Sequence, residues 1–229
     1  MKKIKIYSEI VYLLSIIIIS FSVAMLSAVD FGISMIVAPA YILSEKLGIT
    51  FGQSEYIIQA VLFIVFCIIV KKVKPIFLIS FLTCIIYGLV LDLWRVIIPA
   101  FNPQITPPGT LDLWVRIVFF VAGMILTSLA VALSFKAYIY PQVYDFFVNE
   151  TTKFYKISIS KFKTIFDMSF LAIGVILSLI FFKGFVGVNW GTLVMAVFNG
   201  SLISFFSKTF DKFFEPVPLF KGFLKLFEI

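Results

Sequence analysis

The stretch "VDFGISMIVAPAYILSE", residues 29–45, decides between two topologies for this chain. It is apolar enough for a lipid bilayer, but only 14 uncharged residues separate Asp30 from Glu45. A helix that crosses about 30 Å of hydrocarbon needs about 20 apolar residues. We therefore predict that this stretch is re-entrant or interfacial, while a kinked and tilted full span remains the alternative.

A second short stretch has the same character. In "VALSFKAYIYPQVYDFF", residues 131–147, Pro141 stands 102 positions after Pro39 of the first stretch. Proline removes a backbone donor, and a disrupted backbone at membrane depth requires a protein or water-filled surrounding. Paired short segments interrupted by proline or glycine, in corresponding halves, are typical of the binding region of a secondary transporter.

The composition indicates a polytopic membrane protein. Of 229 residues, 62% are hydrophobic and 14% are charged, against about 45–50% and about 25% in soluble domains. The formal net charge is +7, but the lysines occur in clusters between apolar runs rather than on one polar face, so no nucleic-acid partner is predicted. We predict an all-α polytopic fold whose main partner is the lipid bilayer.

Six stretches between charges are long enough, or nearly so, to cross the bilayer. The predicted spans are residues 10–29, 56–70, 75–91, 117–135, 164–182 and 184–207. With the two short segments they give six transmembrane helices plus two re-entrant or interfacial helices in one membrane domain, residues 1–229.

Three pairs of matching positions indicate an internal repeat. Pro39 matches Pro141, Gln59 matches Asp167, and Gly88 matches Gly200, with offsets that grow in order from 102 to 108 to 112. Tyr87 then matches Asn199. We predict two homologous halves, repeat one at about 10–95 and repeat two at about 114–207, joined by an external connector, 96–113, that is rich in proline, asparagine and glycine.

The basic residues predict the orientation. With three spans per half and the N-terminus inside, 15 of 19 basic residues lie in the cytoplasm, as the positive-inside rule requires. Four spans per half would give 14 inside and five outside, so charge places both termini in the cytoplasm but does not decide the number of spans. The tail, 208–229, with Leu219, Phe220, Phe223 and Phe227 at helical spacing, is predicted to be an amphipathic helix on the cytoplasmic surface of a bacterial plasma membrane.

Four segments resemble the YitT/YczE-like family of bacterial integral membrane proteins. They are "AVDFGISMIVAPAYILSEKLGITFGQSE" (28–55), "YGLVLDLW" (87–94), "KFKTIFDMSFLAIGVILSL" (161–179) and "GVNWGTLVMAVFNGSL" (187–202). The resemblance covers nearly the whole chain and implies a duplicated six-span protein suspected of transport or permease work, with no firmly assigned substrate. Where the first short segment has Gly32, the second has Ser134, so the two halves differ at that turn.

Few polar residues at membrane depth are available to bind a solute. Asp167 lies about one turn inside its span, with Lys163 four residues before it as a local partner. Asp145 faces a cavity if its segment is re-entrant and is solvated if that segment lies flat. Asp30 is either a binding residue or a charge that caps the next helix at the membrane boundary. The predicted substrate-binding set is Asp145, Asp167, Gln59, Asn199 and Asp30.

Five further positions have predicted backbone roles. Gly32, Pro39 and Pro141 are predicted to break helices or act as hinges. Gly88 and Gly200 are predicted to allow close packing of helices in the two repeats.

We infer a secondary transporter or permease for an unidentified small solute. The alternatives are a membrane-embedded substrate-binding subunit of a larger transport complex and a non-transport scaffold or accessory protein. The sequence contains no His and no P-loop or zinc-protease motif, so we expect no enzyme activity, cofactor or metal site. Cys67 and Cys84 lie in apolar runs and are predicted to be packing residues. A homo-oligomer or an energising partner is compatible with the sequence.

Overall fold

The computed structural model describes residues 3–71, 74–220 and 222. Within them the chain forms α1 (Ser8–Val29), α2 (Ala38–Leu47), α3 (Phe51–Val70), α4 (Leu78–Ile97), α5 (Leu113–Ser134), α6 (Val143–Tyr155), α7 (Ile159–Phe182) and α8 (Trp190–Phe213). Two short parallel strands, β1 (Ile4–Tyr7) and β2 (Phe214–Val217), pair with each other. Single 3₁₀ turns at Pro75–Phe77 and Pro99–Phe101 flank α4.

The six predicted spans are confirmed as helices of 20 to 24 residues that are long and apolar enough to cross a membrane. The two short segments are confirmed as separate short helices, α2 and α6. The prediction of a mostly helical membrane fold is confirmed, with the short pair β1 and β2 as its non-helical part. The predicted tail, 208–229, first continues α8 to Phe213 and then forms strand β2, so its first residues are not a separate amphipathic helix. Phe223 and Phe227 lie outside the described residues.

Helix α1 is the centre of the bundle. It packs along α5 and against α4. Gly123 of α5 allows a close approach to α1, because it has no side chain where it lies against Leu26. Buried serines donate to carbonyls three residues earlier in the same helix, as Ser27 does to Ala24. These local bonds satisfy hydroxyl groups that have no water available.

The long helices alternate in direction between two ends of the bundle. We call the end with β1 and β2 the terminal end and the end with the 98–112 loop the connector end. Helix α1 runs from the terminal end to the connector end and α5 runs back, because Arg116 donates to the Val29 carbonyl and the Tyr138 amide donates to Ser8. The Gly191 amide donates to the Phe31 carbonyl at 2.8 Å, so α8 also begins at the connector end.

The first short segment enters and leaves the bundle at the connector end. Its start, Asp30, lies against Gly109 of the connector loop. Residues 34–37 then reach the level of Val23 in α1, where both line one cavity. Helix α2 returns, and Glu45 pairs with Arg95 near the end of α4. The segment therefore does not cross the bundle.

The second short segment enters and leaves at the terminal end. Tyr138 lies beside Ser8, and Gln142 reaches Gln59 in the middle part of α3. Helix α6 then returns, and the Tyr155 hydroxyl donates to the Ile69 carbonyl near the end of α3. The tips of the two short segments thus approach each other from opposite ends of the bundle.

Candidate functional site

A cavity of about 210 Å³ lies where the two tips meet. Its wall is mostly apolar and comes from α1, α4, α5, α7 and α8 together with both tips. The polar side chains on the wall include Gln142, Tyr144, Asp145, Lys163, Asp167 and Asn199. A mostly apolar pocket with a few convergent polar groups is the usual form of a small-molecule site.

Lys163 forms ion pairs with two carboxylates on the cavity wall. Its Nζ lies 3.4 Å from Asp145 Oδ1 and 3.5 Å from Asp167 Oδ1. The predicted partnership of Asp167 with the lysine four residues before it is therefore confirmed, and Asp145 of α6 joins the same group. With all three groups ionised, two carboxylates and one ammonium leave one negative charge.

Asn199 of α8 lines the same cavity. Its Oδ1 accepts from Ser128 Oγ of α5 at 3.3 Å, which ties α8 to α5. The structure therefore brings three of the five predicted binding residues, Asp145, Asp167 and Asn199, to one cavity.

Gln59 lies behind the cavity wall rather than on it, and it belongs to a buried polar cluster with Glu55. Gln59 Nε2 donates to Glu55 Oε2 at 2.9 Å and to Gln142 Oε1 at 3.1 Å. Gln59 Oε1 accepts from the Val143 amide at 3.0 Å, which satisfies a free donor of the first turn of α6. The Tyr144 hydroxyl donates to Glu55 Oε2 at 3.0 Å. Gln59 thus anchors the second tip and contacts the cavity through Gln142.

Sequence reasoning missed Glu55, because charged residues were taken as the ends of spans. The predicted span therefore began at residue 56, whereas α3 begins at Phe51. The capping box at Thr50 and Gln53 is the sequence signal that would have identified Glu55. It starts α3 at Phe51 and therefore places Glu55 one turn inside the helix.

Asp30 is not brought to the cavity. It ends α1 with a left-handed backbone (φ 56°) at the connector end, and α2 begins only after Val37, so Asp30 does not cap it. Burial raises the pKa of the Asp30 carboxyl, and Arg116 acts in the opposite direction.

Gly32 has a left-handed backbone that favours glycine, with φ +91°, and its role as a hinge stays a prediction. A Cβ there would collide with Thr192 Oγ1 and lie 2.7 Å from the Asn189 amide nitrogen. Pro39 does not interrupt a helix, since it lies in the first turn of α2, where a missing donor costs little. Pro141 lies in the non-helical approach to α6.

The two matching glycines differ in their surroundings. Gly88 packs closely against α3, with a Cβ position that would meet the Tyr56 ring and lie 3.1 Å from Gly52 Cα. This contact lies within the first half, not between the halves. Gly200 has open space at its Cβ position, so the prediction that it packs against another helix is wrong.

A second cavity, of about 350 Å³, lies at the connector end. Arg95 lies 3.9 Å from Glu45, while Asp92 accepts from Thr50 Oγ1 at 2.6 Å and from the Gly52 amide at 2.9 Å. Burial raises the pKa of the Glu45 carboxyl, and Arg95 opposes that change. Across the described residues, no group of three or more potential ligands from His, Cys, Asp and Glu is placed to hold a metal ion.

The fold defines the class of the molecule: a multi-pass membrane protein with six long apolar helices and two short ones whose tips meet at a central cavity. The chain belongs to the family of unknown function DUF6198, whose model matches residues 6–208. Comparison with curated proteins and with solved structures finds no match.

Proposed function

We propose that this protein is a secondary transporter that carries a small amine-bearing solute, cationic or zwitterionic, through the central cavity. One observation carries the proposal. Two short segments enter from opposite ends of the bundle, and their tips line the same cavity as Lys163 and its two carboxylate partners. Secondary transporters bind their solutes where interrupted helices meet near the middle of the membrane.

We infer further that the two halves arose as an inverted repeat. The order of one long, one short and two long helices occurs twice along the chain. The packing is reciprocal, since α2 contacts α7 and α3 contacts α6, while α1 packs against its counterpart α5. We also propose that the protein is related to YitT/YczE-like proteins. In this proposal it lies in a bacterial plasma membrane, with both termini in the cytoplasm.

The solute class follows from the charges on the wall. Asp145 and Asp167 share one lysine, so a solute amine is attracted to a site that has one negative charge in excess. Asn199 and Gln142 offer amide groups to a second polar part of the solute. The cavity volume of about 210 Å³ favours a small solute.

Alternating access would come from movement of α8 relative to α7. Among the described residues α4 packs closely on α3, but its counterpart α8 packs mainly on α5 and forms no packed pair with α7. The open space at Gly200 gives α8 room to approach. In this proposal, closure of α8 on α7 covers the bound solute from one side.

The test is uptake into proteoliposomes. A panel of radiolabelled amino acids, small amines and carboxylates is offered under an inward proton gradient. We expect uptake of an amine-bearing solute that falls roughly tenfold or more in Asp145→Asn, since a hydrogen bond to a charged group contributes about 1.5–3 kcal/mol. Lys153→Met is the control, because its side chain is exposed and pairs with Glu150 away from the cavity.

Uptake that Asp145→Asn leaves unchanged would contradict the proposed site. Binding of a panel member without uptake would fit an embedded binding subunit of a larger complex. Neither binding nor uptake by the folded protein would leave a scaffold or accessory role as the better account.

A further inference from the structure

The buried Glu55 carboxyl is not part of the proposed solute site in the central cavity. Glu55 lies one turn inside α3 and is completely buried, with 0% of its surface exposed. Its side chain does not line the central cavity. A carboxyl group at this depth needs either a cationic partner or a proton.

No cationic partner is present among the described residues, since none of their lysines or arginines forms an ion pair with Glu55. Its Oε2 accepts two hydrogen bonds from neutral donors, the Gln59 amide and the Tyr144 hydroxyl. Its Oε1 is buried and has no hydrogen-bond partner. An ionised carboxylate would leave an unpaired charge on this oxygen, whereas a carboxylic acid places its proton there.

The titratable groups that face Glu55 from its neighbours include no cation. Cys84 and Tyr87 of α4 and Tyr144 of α6 surround it. Helix α2 presents Tyr41 to Phe51, one turn away along α3. None of these groups is positively charged in any protonation state, so none would stabilise an anion by charge.

Glu55 is connected to the cavity through the second tip. Tyr144 lines the cavity and donates to Glu55, and Gln142 lines it and accepts from Gln59, which also donates to Glu55. A solute that displaces this tip therefore removes donors from Glu55 and opens its surroundings to water from the cavity.

We propose that Glu55 is a proton-binding site that couples transport to protons: its carboxyl holds a proton on Oε1 while the second tip is docked and releases it to water when the tip moves. The step converts a carboxylic acid into a carboxylate and a free proton, with no other bond made or broken. The coupling part rests on the proposed transport function, whereas proton binding by Glu55 is testable without it.

Infrared spectroscopy tests proton binding directly. The protein in lipid nanodiscs is titrated with acid and base, and the carbonyl stretching band of protonated carboxyl groups is recorded. We expect Glu55→Gln to lose a band that the wild type shows at neutral pH. Glu150→Gln is the matched control and retains that band, because Glu150 pairs with Lys153. An unchanged band in Glu55→Gln would overturn the proposal.

Glu55→Gln has the shape and charge of the protonated acid, so the proposal also predicts that it folds normally. Gel filtration and circular dichroism check this, and a variant that fails to fold at neutral pH contradicts a neutral Glu55. In proteoliposomes with the same radiolabelled panel, Glu55→Gln is expected to equilibrate solute but not to accumulate it under a proton gradient.

Continued uphill accumulation by Glu55→Gln would overturn the coupling role. If the wild type moves no panel solute but still shows the Glu55-dependent band, the transport proposal fails while the proton site stands.

Discussion

The two short segments have the same place in their halves but different surroundings. The first, residues 30–48, is packed by apolar contacts: Ala38, Ala40 and Ile42 are completely buried in the main core. Helix α6 of the second, residues 136–156, is also buried in an apolar cluster, but the tip of this segment is held by a network of amide, hydroxyl and carboxyl groups around Glu55. The ionisable side chains of the cavity also lie on the second segment and on α7.

We infer from this difference that one segment is fixed by packing and the other is able to move. Apolar side chains pack densely, so we expect the first segment to form a fixed wall. Water or a solute can replace the hydrogen-bond partners of the second tip, so we expect this segment to be the one that moves when the proposed solute binds.

Gly32→Val should destabilise the protein most, by about 2–4 kcal/mol, because a left-handed backbone and a collision with the start of α8 act together. Gly48→Val is the matched control. Gly48 is also left-handed, with φ +65°, but nothing lies within 4 Å of its Cβ position, so the cost there is the backbone strain alone. Thermal unfolding in detergent measures both. Equal losses would show that the first segment is not fixed by packing.

Gly88→Ala should cost about 1–3 kcal/mol, since the added methyl group would force α3 and α4 apart at Tyr56 and Gly52. Gly200→Ala should not lower the midpoint of thermal unfolding, because the methyl group meets free space and alanine favours the helix more than glycine does. A loss of stability in Gly200→Ala comparable to that in Gly88→Ala would mean that α8 is packed against another helix in the membrane.

Tyr144→Phe should cost about 1 kcal/mol, because it removes one donor from the buried Glu55 carboxyl. Tyr155→Phe serves as control, since the Tyr155 hydroxyl bonds to the Ile69 carbonyl at an exposed site. Unfolding of the two variants in the same detergent gives the comparison. If Tyr144→Phe is as stable as the wild type, the polar network does not hold the second tip.

Asp30→Asn should have the smallest effect on stability, and this effect should depend on pH. Because burial raises the pKa of Asp30 in the folded state, its contribution to stability is present below the ordinary carboxyl range and is lost as pH rises through the raised value. Asparagine also tolerates the left-handed backbone at this position. We expect the variant to lose less stability than the wild type on going from acidic to neutral pH. A steeper loss in the variant would mean that pairing with Arg116 outweighs burial.

Much of the fold could be predicted from the sequence, because hydropathy and segment length are local properties of the chain. The 14 uncharged residues after Asp30 were too few for a span, and the structure has a helix of 10 residues there. The gathering of Asp145, Asp167 and Asn199 was also predictable, because polar residues within apolar segments need a polar surrounding.

Other features depend on tertiary contacts that no local pattern records. Glu55 was missed because the sequence pattern does not distinguish a charged residue at the end of a span from one that lies a turn inside it. Gly200 was assigned the packing of Gly88 by alignment, but helix α8 lacks the neighbour that α4 has in α3. The pairing of β1 with β2 joins residues more than 200 positions apart and has no periodic signal.

The most direct test of the account is cysteine labelling at Lys46 and Lys156 in intact cells, with Cys67 and Cys84 replaced. Both positions lie at exposed ends of the short helices. If the segments enter from opposite ends, an impermeant thiol reagent should label Lys46→Cys from outside, and Lys156→Cys only after the cells are opened. If both short segments crossed the membrane, the two positions would lie on the same side, and equal labelling of the two variants would contradict the meeting of the tips at a central site.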